Sequence, residues 1–156
     1  MAFVRILVDG YSLLHAWPEL APRAARHSAA ARAALIRELT HYRDATGAPI
    51  TVFFDGSFPR GAGPPPDPEH SIEVLFSRAG QTADDLIERA AHRFQAYGQV
   101  LVVTDDVAER DTVLAVGGMT TGCATFIAQI QAARADVARD LKHHNRTERQ
   151  RYRRRH

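Results

Sequence analysis

The acidic residues of this chain fall where acids can do chemistry. Asp9 closes the apolar run Phe3–Val8, Asp55 closes Ile50–Phe54, and Asp105 and Asp106 end Val100–Thr104. Asp84 and Asp85 come shortly after a further apolar run, Ile72–Phe76, where helical spacing begins. If these runs are parallel strands, all of the acids project toward one sheet edge, the edge where open α/β sheets bind their ligands. Carboxylates held together repel one another unless a cation neutralises them. No cluster of Lys or Arg accompanies them, so the pattern points to a divalent ion, and hard oxygen donors suit Mg²⁺ or Mn²⁺. Each acid also has an ordinary structural role open to it. Asp9-Gly10 and Asp55-Gly56 can be turns, Asp85 stands three after Thr82 and can complete a capping box, and Asp105 or Asp106 can cap a helix starting at Val107.

The elements that must position these acids can be read between them. Short continuous Val/Ile/Leu/Phe runs suit strands covered on both faces, as in a parallel sheet. Ser28 predicts the N-cap of a helix over Ala29–Ala45 with Gly47 beyond its end, and Leu35, Ile36, Leu39 and Tyr42 recur at helical spacing. Thr82 predicts the cap of a second helix running to about Tyr97 and closed by Gly98, with Leu86, Ile87, Ala90 and Phe94 inward. A short helix over Val107–Val116 ends at Gly117-Gly118, and a long final helix begins near residues 121–124. The Gly/Pro-rich stretch Arg60–Pro68 can hold neither a helix nor a central strand. Alternating strands and helices predict one α/β domain of three layers, helices on both faces of a mostly parallel central sheet.

Composition sets the outer limits. The chain has 156 residues, 45% of them hydrophobic, which is one domain's worth of core. The apolar runs are too short to span a bilayer, and the first residues lack the basic and small-residue pattern of a signal peptide. The lone Cys123 excludes a disulfide framework and a Cys-based zinc site. A soluble, cytoplasmic protein is expected. The net charge of +2 hides a split: residues 139–156 carry eight Lys/Arg against two acids, leaving residues 1–138 with 12 basic and 16 acidic groups. The expected organisation is a domain over 1–138 and a basic extension over 139–156. Nineteen of the 20 basic residues are Arg, the side chain that binds phosphate in a fork and stacks on bases. The extension therefore suits a polyanion, with a solvated terminus as the plainer alternative.

Several blocks together carry a resemblance. Ile6-Leu7-Val8-Asp9-Gly10-Tyr11, Ala16-Trp17-Pro18, Phe53-Phe54-Asp55-Gly56, Phe76-Ser77-Arg78, Gln81-Thr82-Ala83-Asp84-Asp85 and Thr104-Asp105-Asp106-Val107-Ala108-Glu109-Arg110-Asp111 occur in order. They resemble the YacP-like branch of the NYN domains, relatives of the PIN nucleases. The resemblance implies a PIN-like fold and a metal-dependent endoribonuclease, some YacP-like members acting on messenger RNA at the ribosome. By position, Asp9 matches the strand-one acid, Asp84 the central acid with Asp85 beside it, and Asp106 the acid of the Thr/Ser-x-Asp turn, with Glu109 an outer member. On this basis Asp9, Asp84 and Asp106 are expected to hold Mg²⁺ or Mn²⁺ directly or through water, and Asp85 to serve as a further ligand or to orient water. Ser12, Arg78, Gln81 and Arg110 are expected to contact RNA. The family usually reads Asp-Gly-Tyr-Asn where this chain has Ser12, a hydroxyl in place of an amide.

Other classes fit less well. The only Lys is Lys142 in the extension, which excludes a receiver domain's essential lysine, and Tyr11 stands where a haloacid-dehalogenase phosphatase needs its second Asp. Phosphate-loop, nucleophile-elbow and His-Glu-x-x-His motifs are missing from the sequence. Trp17 suits packing better than base stacking. The alternative reading is a catalytically weak RNA- or ribosome-binding protein on the same fold, favoured by Ser12; a metal-dependent phosphatase acting on small phosphoesters ranks third. RNA is the expected partner, with neither membrane nor DNA.

Overall fold

A computed structural model describes residues 3–56 and 72–155. The segment Arg60–Pro68 lies outside the described residues. Strand β1 (Arg5–Asp9) leads directly into helix α1 (Gly10–Ala16), followed by α2 (Ala29–Thr46), β2 (Ile50–Phe54), β3 (Glu73–Phe76) and α3 (Ala83–Phe94). After a single 3-10 turn over Gln95–Tyr97 come β4 (Val100–Val103), α4 (Val107–Ala115), β5 (Met119–Thr121) and α5 (Cys123–Arg155). The sheet has the order β3-β2-β1-β4-β5, and every neighbouring pair is parallel.

Strand periodicity divides the core into two layers. Ile6 and Val8 face α1, α2 and α5, packing with Leu13, Leu35, Leu39 and Phe126. Leu7 points the other way, with Phe53, Val100 and Val102, against Ile87 and Ala91 of α3 and Val113 of α4. Burying a Leu or Phe of this kind contributes roughly 1.5–3 kcal/mol. Trp17 is buried in the first layer, so its role is packing.

The helix ends follow the capping rules. Ser28 accepts from Ala31 N–H to start α2, and Gly47 ends it in a left-handed conformation at φ 75°. In α3, the helix expected to reach Tyr97 instead tightens into the 3-10 turn after Phe94. Two elements were not expected from sequence. Asp9-Gly10 is not a turn after the strand; Asp9 is the N-cap of α1. Gly10 is required there because a Cβ would lie 2.3 Å from Phe54 Cε1. The short edge strand β5, Met-Thr-Thr, lacks the apolar run that marks the other strands.

The last helix crosses the expected boundary at residue 138 without a break. Its first turns are buried through Phe126, Ile127 and Ile130, and Arg134 pairs with Glu38 of α2 at 2.9 Å. Beyond Leu141 the described side chains are exposed apart from the half-buried Thr147. No helix among the described residues is long and apolar enough to cross a membrane.

Candidate metal centre

Chain direction across the sheet reverses at β1: β2 and β3 lie on one side of it, β4 and β5 on the other. Asp9 stands at the end of β1, where this reversal opens a crevice at the carboxyl edge. Its Oδ1 accepts from Ser12 N–H at 3.4 Å, so the carboxylate rests on the positive end of α1. Facing it are the N-termini of α3 and α4. Asp9, Asp84 and Glu109 each offer a carboxylate oxygen, and these oxygens all lie within 4.8 Å of one another.

Glu109 is the buried member of the three, 6% exposed. Its Oε2 accepts from Thr104 Oγ1 at 2.9 Å, whereas Oε1 is buried with no donor facing it among the described residues. Burial first, then the neighbouring Asp84 and Asp9 carboxylates, drives its pKa far above the usual carboxylate range. Asp84 can hydrogen-bond to it only while one of the pair holds a proton. The Asp9 carboxyl is pushed up to about 6, mainly by burial, with the charges of Asp84, Asp55 and Asp106 adding to the rise and Ser12 N–H opposing it. An ion bound here would supply a positive charge among three carboxylates and a partner for the buried Oε1. An octahedral Mg²⁺ or Mn²⁺ spans about 4.2 Å between opposite ligands, so the group is of the size to hold one. The donor set fits a hard divalent cation.

Asp84 and Asp9, both expected to hold the ion, lie close together, and the third acid beside them is Glu109, expected as an outer member, rather than Asp106. Asp106 is the N-cap of α4, its Oδ1 accepting from Ala108 N–H at 2.9 Å and Glu109 N–H at 3.3 Å. Its charge is felt at Asp9, but it lies outside the close group. Asp85 completes the capping box of α3, its Oδ2 accepting from Thr82 N–H at 3.1 Å. Of the other strand-end acids, Asp55 accepts from Ala83 N–H at 2.5 Å and fastens α3 to the sheet. Asp105 accepts from Cys123 N–H at 2.8 Å and fastens α5.

The expected RNA contacts are spread around this edge. Ser12 Oγ accepts from Asp105 N–H at 3.4 Å and lies 3.7 Å from Cys123 Sγ, joining α1 to the starts of α4 and α5. Arg110 donates from Nε to the Thr104 carbonyl at 3.0 Å and lies 3.6 Å from Asp105, so it braces the β4–α4 turn. Arg78 is exposed in the β3–α3 turn, its carbonyl accepting from Gln81 N–H at 2.9 Å. The inward role of Glu109 was missed, although a signal for it exists. It stands three after the N-cap Asp106, the spacing of a capping box, and Thr104 two residues earlier already serves the cap N–H at 3.1 Å.

Comparison with known proteins agrees with this architecture. Residues 6–156 match the family described as the YacP-like NYN domain. The YacP protein of Bacillus subtilis (strain 168) is 28% identical over 138 residues, covering 88% of this chain and 81% of that protein. The crystal structure of Rae1 (YacP) from Bacillus subtilis superposes with a TM-score of 0.72 at 26% identity, over 91% of this chain and 80% of the other. A tryptophan-to-leucine mutant of that protein gives 0.74 at 27% identity, over 88% and 80%.

Proposed function

The chain belongs to the YacP-like NYN domain family, and from that premise we propose that it is a metal-dependent endoribonuclease. The observation that carries the reading is the convergence of Asp9, Asp84 and Glu109 within 4.8 Å, with one buried oxygen left without a donor. A protein that only bound RNA would gain nothing from carboxylates that repel phosphate.

In this reading Asp9, Asp84 and Glu109 hold Mg²⁺ or Mn²⁺. Such an ion lowers the pKa of a bound water and stabilises charge developing on phosphorus. Thr104 fixes the Glu109 carboxylate through Oε2, which leaves the opposite oxygen to the ion. Asp106 and Asp85 each give an oxygen to a helix cap and take an outer role, orienting water with what remains. Ser12 holds the turn beneath Asp9, and Arg78, Gln81 and Arg110 border the edge where the phosphodiester would enter. Messenger RNA engaged with the ribosome, in the cytoplasm, is the proposed target. Its support is the family and the +6 charge of residues 139–156.

The test is cleavage of a labelled RNA by purified protein in Mn²⁺, set beside Asp9→Asn. Cleavage that needs the ion and disappears in the variant is expected. Equal cleavage by the variant would remove this mechanism, and RNA bound but never cut would favour the binding-protein reading.

A further inference from the structure

Away from the acids, a groove of about 750 Å³ runs along α3 where that helix leaves part of the sheet uncovered. Its floor is Phe53 and Leu75, the latter 40% exposed. Arg5 from β1, Arg89 and Arg93 from α3, and Glu73 from β3 line it, three guanidiniums against one carboxylate. Among the described residues neither Arg89 nor Arg93 has an ion-pair or hydrogen-bond partner. Arg5 is held in place: NH1 donates to Thr51 Oγ1 at 3.0 Å and the guanidinium lies 4.8 Å over the Phe94 ring. Its Nε is buried without a partner. With Glu109 Oε1 it is one of two such buried side-chain atoms among the described residues. At the end of the groove Tyr97 stands 76% exposed, an aromatic face open to solvent.

We propose that this groove binds a single-stranded RNA segment flanking the cleavage point, its phosphates on Arg5, Arg89 and Arg93 and a base on Tyr97. That the polyanion is RNA rests on the ribonuclease reading; that the groove takes a polyanion does not. Cationic grooves with an exposed aromatic are the usual construction for single strands, because phosphates and base faces recur along them whatever the sequence. An acidic peptide would match the charge but leave the Tyr97 face unused. Continuity favours RNA as well. Asp84 sits in the first turn of α3, Arg89 and Arg93 follow along the same helix, and Tyr97 stands in the 3-10 turn that continues it, roughly 7 to 20 Å further on. One helix thus carries a cutting residue at its start and a holding surface along its length.

The experiment measures binding of a fluorescent oligouridylate of about eight nucleotides to the full chain without metal, so that no cleavage step enters. The variants are Arg89→Glu with Arg93→Glu, and Tyr97→Ala; Arg23→Glu with Arg37→Glu changes the net charge equally on another surface. The groove pair should weaken binding at least about tenfold and flatten its salt dependence by roughly one phosphate's worth or more. Tyr97→Ala should weaken it about fivefold or more. All five positions are exposed, and unchanged melting temperatures check the fold. Unchanged affinity in the groove variants, or an equal loss in the control pair, overturns the proposal. So does an oligoglutamate peptide that displaces the RNA at equal concentration. Groove-dependent binding in a protein that never cuts RNA would keep the groove and sink the ribonuclease reading; cutting with groove-independent binding does the reverse.

Discussion

At the start of α3, Thr82 caps the helix and Asp85, three residues on, reaches back to the Thr82 N–H. At the start of α4, Asp106 caps the helix and Glu109, also three residues on, turns inward to Thr104, Asp9 and Asp84. The two beginnings share a spacing and differ in the fate of the third acid. The difference lies in what the cap N–H already has. Asp106 N–H donates to Thr104 Oγ1, and the same hydroxyl donates its own proton to Glu109. Thr82 N–H donates to Asp85 instead. One threonine therefore converts a capping-box acid into a buried one, and in α3 the free acid is the neighbour, Asp84.

The sharpest way to break this contrast is Glu109→Gln, which keeps the shape and the Thr104 bond but removes the charge. Metal-dependent cleavage, followed in single turnovers, should fall at least about 100-fold, beyond what loss of an outer partner costs. A drop of only a few-fold would return the site to Asp106.

The next effect is on stability and has a definite sign. The folded Asp9 carboxyl is raised from 3.8 to about 6, so without metal its contribution is fully present below about pH 4 and lost as pH climbs through 6. Glu109 shifts in the same direction and extends the loss to higher pH. A divalent ion binds the ionised forms and reverses this, stabilising by about 2.7 kcal/mol at 100 times its Kd. Melting curves should show a larger gain from Mg²⁺ or Mn²⁺ at pH 8 than at pH 5; an equal gain at both would mean that the ion binds elsewhere.

Thr104→Val tests the device that separates the two helices. It leaves Asp106 N–H and Glu109 Oε2 without their partner, at a cost of about 2 kcal/mol in metal-free unfolding. Metal affinity should weaken about tenfold, and Thr104→Ser should recover both. The smallest effect is expected at Asp85→Ala: roughly 1 kcal/mol lost with the capping box, and a smaller loss of cleavage than Glu109→Gln gives. Denaturant titration and the same cleavage assay read both quantities, and a reversed order of the two variants would reverse the roles assigned to the helices.

The legibility of the chain follows the same division between local and distant causes. β2 was readable to its ends because all five of its residues are buried and apolar or nearly so. The limits of α2 were readable because Ser28 and Gly47 act on their own backbone. The closeness of Asp9 and Asp84 was legible from their place after a strand and at a helix start. What escaped depended on partners far along the chain. Asp-Gly is turn chemistry until Phe54 demands the glycine, β5 is a strand only because β4 lies beside it, and Asp55 and Asp105 look like site acids until the N–H groups of Ala83 and Cys123 claim them.

The final helix begins at Cys123, whose N–H is bonded to Asp105 within the turn that also carries Asp106. From that fixed origin α5 continues unbroken to Arg155. At 1.5 Å per residue, Arg149 lies about 40 Å along the axis from its start. The helix is thus a ruler with its zero mark at the acids. Whatever the arginine-rich end grips is held at a set remove from the carboxylates, and shortening α5 by whole turns would move the grip toward them in steps of about 5.4 Å.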